Sequence, residues 1–162
     1  MHNMEIERKF LVLNDSYKAL ATRRQDIVQG YICKDAERTV RVRLRTEPDG
    51  EHAFLTIKSK PNGLGFSRFE WEHEIEVADA RQLLTMCLPG VIEKTRWVVP
   101  YQSRADHPEE DTLCWEIDEF HGRLSGLVLA ELELQREDQP YTKPDFIGEE
   151  VTGQPQYYNA NM

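Results

Sequence analysis

Val40-Arg41-Val42-Arg43-Leu44-Arg45 alternates apolar and basic residues without a break. Successive side chains of a β-strand point to opposite faces. Arg41, Arg43 and Arg45 therefore share one face, and Val40, Val42 and Leu44 take the other. Residues 69–77 repeat the pattern with acid. Glu70, Glu72, Glu74 and Glu76 form a row opposite Phe69, Trp71, Ile75 and Val77. An ordinary half-buried sheet also alternates, with its charged face in water. Solvent faces mix their polar residues, however, whereas these strands each carry a single sign. Like charges side by side repel unless opposite charge faces them. The pattern favours a sheet that curls until its charged rows face one another. The interior is then polar, and the apolar faces point outward under helices.

The rest of the chain extends this reading. Glu5, Glu7 and Lys9 share a face of the first strand, and Arg8 lies opposite with Ile6. Thr56, Lys58 and Lys60 oppose Leu55 and Ile57. Lys94 and Arg96 oppose Thr95 and Trp97. Glu116 and Asp118 oppose Trp115 and Ile117, and Glu131 and Glu133 oppose Ala130, Leu132 and Leu134. Strands are expected at 4–12, 27–33, 38–46, 53–60, 67–77, 91–99, 113–120 and 127–136. Glu47-Pro48-Asp49-Gly50 is a hairpin signal, and Pro61-Asn62-Gly63 with Gly65 breaks the next pair. Asn14-Asp15-Ser16 and Ala78-Asp79 offer N-caps for two helices, the second stopped by Pro89-Gly90. Residues 101–112 read as an acidic loop, and a short helix is expected near 144–151. Strands in hairpin-like succession with few helices give an α+β, mostly antiparallel domain. One domain spanning 1–162 is the default at this length.

The chain is acidic, with 29 Asp and Glu against 20 Lys and Arg and a net charge of −9, which argues against a general nucleic-acid binder. A local cation cluster for a small anion stays compatible with that balance. No apolar run approaches a membrane span and no signal-peptide core is evident, so a cytoplasmic setting is expected. Cys33, Cys87 and Cys114 suit a reducing compartment better than a disulfide framework. The histidines show no zinc spacing. Trp71, Trp97 and Trp115 read as core residues under helices. Phe66, beside the Gly63–Gly65 loop, reads as a packing residue.

If the rows face inward, Lys9, Arg41, Arg43, Lys58, Lys94 and Arg96 form one cationic set suited to a chain of phosphates. Arg offers a planar fork and Lys a point charge. The acidic set of Glu5, Glu7, Glu72, Glu74, Asp118, Glu131 and Glu133 suits a hard divalent ion.

The chain resembles the CYTH superfamily, the triphosphate tunnel metalloenzymes, in its short single-domain bacterial form. The resemblance rests on Glu5-Ile6-Glu7-Arg8-Lys9, Arg41-Val42-Arg43-Leu44-Arg45, Leu55-Thr56-Ile57-Lys58, Arg68-Phe69-Glu70-Trp71-Glu72, Glu93-Lys94-Thr95-Arg96, Trp115-Glu116-Ile117-Asp118 and Glu131-Leu132-Glu133-Leu134, in that order. It implies an eight-stranded closed tunnel, or barrel, with a polar interior and helices packed outside. It also implies a metal-dependent hydrolase that splits a triphosphate, with inorganic triphosphate leading, into pyrophosphate and phosphate. Lys9, Arg41, Arg43, Lys58, Lys94 and Arg96 would bind phosphate oxygens. Glu5, Glu7, Asp118, Glu131 and Glu133 would hold Mg²⁺ or Mn²⁺. Water activated at the metal, assisted by Glu131, Glu133 or Lys58, would attack. Glu72 and Glu74 are left as balance for tunnel cations. An adenylyl cyclase, a thiamine or nucleoside triphosphatase and a non-catalytic polyphosphate-binding module are the alternatives. The ending Tyr157-Tyr158-Asn159-Ala160-Asn161-Met162 lacks the Tyr-Arg associated with the cyclase branch. The expected partner is the small triphosphate, with no nucleic acid and no membrane. A homodimer is left open.

Overall fold

The computed structural model describes residues 4–63 and 67–162; Phe66 lies outside them. Nine strands follow in chain order: β1 (Met4–Val12), β2 (Arg23–Lys34), β3 (Arg38–Glu47), β4 (Gly50–Ser59), β5 (Ser67–Ile75), β6 (Ile92–Pro100), β7 (Cys114–Phe120), β8 (Val128–Leu134) and β9 (Ile147–Glu150). Helix α1 (Tyr17–Leu20) lies between β1 and β2, and α2 (Val77–Leu84) between β5 and β6. The sheet order is β5-β4-β3-β2-β6-β7-β8-β1-β9, and a β5–β1 pairing closes β1 to β8 into a barrel. Every pairing is antiparallel.

The closure leaves a seam. β1 pairs with β5 only over Met4–Ile6, while its other edge runs along β8 from Ile6 to Leu11. Beyond Ile6 the β5-facing edge of β1 would carry unpaired backbone groups. The segment expected to be a helix near 144–151 is instead β9, which covers that edge through Phe10↔Glu150 and Val12↔Ile147. Pro144 favours a helix start locally, but an open strand edge is a strong template, and tertiary pairing wins.

β2 begins at Arg23, four residues before the expected start, because Arg23 to Asp26 pair in register with Val98 to Thr95 of β6. The hairpin at residues 47–50 forms as expected, and Gly50 takes φ +130°, a region that side chains avoid.

The apolar faces do point outward. Phe10, Val99, Trp115, Ile117, Ala130, Leu132 and Leu134 meet Tyr17 of α1 and Phe146 and Ile147 in the main core. Phe10 and Trp115 pack edge to face at 5.5 Å. Trp115 is 1% exposed, so truncation to Ala would cost about 3–5 kcal/mol. A second cluster, built on Val42, Ala53 and Ala80, sits under α2. Trp97 is half-buried beside Tyr17, whereas Trp71 lies on the outer face stacked on His73. No described helix is long and apolar enough to cross a membrane.

Candidate active site

The barrel encloses a cavity of about 710 Å³. Lys9, Arg41, Arg43, Lys58, Lys94 and Arg96 all line it, from β1, β3, β4 and β6, together with Glu5, Glu7, Glu131 and Glu133 from β1 and β8. Alternation within each strand brings them inward, and the register sets who meets whom.

The carboxylates gather on β1, β8 and β5. Glu7 stands opposite Glu133, and Lys9 opposite Glu131. Lys58 Nζ donates to both oxygens of Glu5 at 2.8 and 3.0 Å and lies 3.4 Å from Glu70. Burial would raise the Glu5 carboxyl, but Lys58 and Arg68 hold it at about 2. Glu7 has the opposite fate: enclosure, with Glu131 and Glu5 beside it, pushes it well up. Glu133 keeps an exposed side chain at the cavity, and partial desolvation with Glu5, Glu70 and Glu116 around it lifts it to about 7; burial also raises Glu70. Glu131 resists its own burial because Lys9 and Arg96 flank it, and it stays well below the usual range. Glu7 and Glu131 are therefore pushed in opposite directions by their surroundings, Glu7 upward and Glu131 downward.

The cations crowd on β3 and β6. Arg43 Nε donates to Gln29 Oε1 at 2.8 Å, and among the described residues no carboxylate pairs with it. Burial, with Arg41 and Arg96 nearby, pulls Arg43 down to about 9. Burial likewise brings Lys94 to about 7, against Asp118 and with the help of Arg96 and Arg43. Arg41 donates from Nη2 to Thr56 Oγ1 at 3.2 Å, and Glu72 stands 3.6 Å away. Its Nε is buried with no hydrogen-bond partner among the described residues.

Asp118 sits differently from the other expected metal ligands. It is 1% exposed and directly opposite Arg96 in the register. Arg96 grips it from Nε at 2.8 Å and Nη2 at 3.0 Å, and Lys94 Nζ donates to it at 2.6 Å. Both its oxygens thus accept from the basic side of the cavity, and Asp118 aligns the two cations. Glu72 accepts from Thr56 Oγ1 at 2.6 Å and Glu74 lies 3.4 Å from His52, which makes both local counter-charges. Arg8 stays outside the cavity, paired with Glu150 at 3.0 Å.

Several cavity residues carry no signal in a charge pattern. Gln25, Gln29 and Tyr31 of β2 are buried, and Gln25 and Tyr31 line the cavity. So do Thr152, Gly153 and Tyr158 to Asn161 from the C-terminal segment. The inward parity of β2 was open to reading, but the tail has no periodicity to read. At the β3–β4 turn, Glu47, Asp49 and His52 bring ligand atoms within 4.8 Å of one another. Glu47 there is already held by Arg23 and Arg45, both at 2.8 Å.

A tunnel with inward charge rows on these motifs matches one family by sequence: the CYTH domain, over residues 3–161. The chain belongs to the CYTH domain family. It is 42% identical to an inorganic triphosphatase of Acetivibrio thermocellus across 98% of this chain and 92% of that protein. An inorganic triphosphatase of Nitrosomonas europaea is 34% identical, covering 98% and 95%. The solved structure of the inorganic triphosphatase NE1496 superposes with a TM-score of 0.63 at 32% identity, covering 97% of this chain and 92% of that one.

Proposed function

We propose that this CYTH chain is a divalent-metal-dependent inorganic triphosphatase that converts triphosphate and water to pyrophosphate and phosphate. One observation carries the reading: a single cavity holds a cationic wall short of anions and an acidic wall short of cations. A metal–triphosphate complex supplies both. The names of the relatives at 42% and 34% identity support the same substrate.

The acidic wall fits a metal. Its donors are hard oxygens suited to Mg²⁺ or Mn²⁺, and a cation there would relieve the burial and the crowding by Glu131 and Glu5 that push Glu7 well up. Glu5, Glu7, Glu131 and Glu133 are the residues we assign to it. Asp118, expected among them, is reassigned to positioning Lys94 and Arg96. A bound ion would neutralise phosphate charge and acidify water.

The protein groups divide the rest of the work. Arg41, Arg43, Lys94 and Arg96 hold phosphate oxygens, with the idle Arg41 Nε aimed at one of them. Lys9 and Lys58 bridge the two walls. In-line attack of water on the terminal phosphorus breaks one bridging P–O bond. The electron pair leaves with pyrophosphate, and the proton of water passes to a carboxylate. We assign that proton to the Glu131–Glu133 pair.

The test is product analysis with triphosphate, ATP and thiamine triphosphate, each under Mg²⁺ and Mn²⁺. Phosphate and pyrophosphate in equal amounts from triphosphate alone is the expected result. Cyclic nucleotide from ATP would instead establish a cyclase, and binding without turnover a polyphosphate-binding module.

A further inference from the structure

The inward rows change character at one end of the barrel. Leu11 continues the row of Glu5, Glu7 and Lys9, and Ile92 continues that of Lys94 and Arg96. Phe120 and Leu129 do the same for Asp118 and Glu131. These residues, with Val151, form an apolar cluster against which Tyr157 and Met162 pack. The charged track therefore ends on a hydrophobic layer, and the C-terminal segment lies over that layer.

The same segment reaches into the track itself. Lys9 Nζ donates to the Tyr157 carbonyl at 2.9 Å. Asn159 Oδ1 accepts from Lys94 Nζ at 3.0 Å and from Gln29 Nε2 at 3.0 Å. Gln29 is fully buried, and its other amide atom accepts from Arg43. Two of the six cations thus spend a donor on oxygens of the tail. Asn159 contributes a neutral oxygen at Lys94, where a further phosphate oxygen would otherwise bind.

We infer that Asn159, in the tail segment that Tyr157 and Met162 anchor on the apolar floor, is a chain-length gauge: it ends the phosphate track so that a triphosphate fills it and a longer linear polyphosphate does not gain from its extra unit. This rests on the reading of the cavity as a triphosphate site. Asn159 acts through Lys94 and Gln29 and is a positioning residue.

The test compares Asn159→Ala and Asn159→Asp with the unaltered chain. Without metal, melting temperature is followed with pyrophosphate, triphosphate and tetraphosphate. The stabilisation should grow from pyrophosphate to triphosphate and level off at tetraphosphate. In Asn159→Ala it should keep growing, because Lys94 is released to a fourth unit. With Mn²⁺, the ratio of kcat/KM for tetraphosphate to that for triphosphate should rise roughly tenfold in the same variant. Asn159→Asp keeps the side chain's shape and adds an anion beside Lys94. It should raise KM for both chains without raising that ratio, and it carries the test if the Ala variant fails to fold. Cleavage of triphosphate with an unchanged plateau and ratio, or an unchanged KM in Asn159→Asp, overturns the gauge alone. Failure to bind or cleave any of the three phosphates overturns the triphosphate reading and the gauge with it.

Discussion

The two walls of the tunnel are mirror images in charge and share one predicament. On β1, β5 and β8, enclosure and crowding raise Glu7, Glu70 and Glu133. On β3 and β6 the same forces depress Arg43 and Lys94. Burial disfavours the charged form of either sign. Where opposite charges meet, as in Lys58–Glu5 and Arg96–Asp118, the ions persist. Elsewhere burial and like-charge crowding press against the charged form, even at Lys94, which keeps Asp118 as its partner. The cavity is therefore strained electrostatically in two places at once, and a metal–polyanion complex relieves both. Paired residues should govern stability, and unpaired ones should govern function.

The largest effect is expected at a paired residue. Asp118→Asn leaves Lys94 and Arg96 facing each other without their shared anion. Breaking a buried pair from one side costs about 3–5 kcal/mol, read as the change in unfolding free energy in urea. A loss under 1 kcal/mol would show that Asp118 is not the keystone of the basic wall, and would return it to the set of metal ligands.

Glu7→Gln should invert that outcome. Gln carries no charge, so removing the ionisable group relieves the acidic wall. The metal-free variant should melt no lower than the unaltered chain. Phosphate release under Mg²⁺ or Mn²⁺ should fall about 100-fold, near 2.7 kcal/mol of transition-state stabilisation. Full turnover would remove Glu7 from the metal site. Arg43→Ala should act more modestly on catalysis, with kcat/KM for triphosphate down roughly tenfold, and should cost about 1–3 kcal/mol of stability because the buried Gln29 Oε1 loses its donor. A drop confined to KM would assign Arg43 to ground-state binding. A shared drop in kcat would place its contact in the transition state.

How much of this the sequence disclosed depends on the kind of information each feature carries. Parity names the face of a residue, and Arg41, Arg43, Lys58, Glu5, Glu7 and Glu131 all stand where alternation puts them. Parity says nothing of register. The pairing of Arg96 with Asp118 across β6 and β7 is a register fact, and it gives Asp118 two cationic partners that alternation alone does not disclose. Neutral Gln29 gave no charge signal, although it links Arg43 to the tail. β9 owes its conformation to the open edge of β1, which is a property of barrel closure and not of residues 147–150. The apolar ends of the rows, at Leu11, Ile92, Phe120 and Leu129, were visible as residues but acquire meaning only once the strands are aligned.

The smallest predicted effect tests the acidic wall by itself. A carboxyl raised in the folded state keeps its proton after the unfolded chain has lost its own. Stability then falls as pH climbs from the unfolded value toward the folded one. Glu7 and Glu133 are both raised, the latter to about 7. The metal-free protein should therefore lose stability from about pH 4.5, the ordinary Glu value, up through neutrality. A divalent ion competes with those protons, so its benefit should grow over the same interval. Melting temperature with and without Mn²⁺ measures this directly, and the metal-induced rise should be greater at pH 8 than at pH 6. Asn159→Ala, which alters the basic wall only, should leave that difference intact. A rise independent of pH would mean that the ion does not displace protons from Glu7 and Glu133, and would move the metal away from the acidic wall.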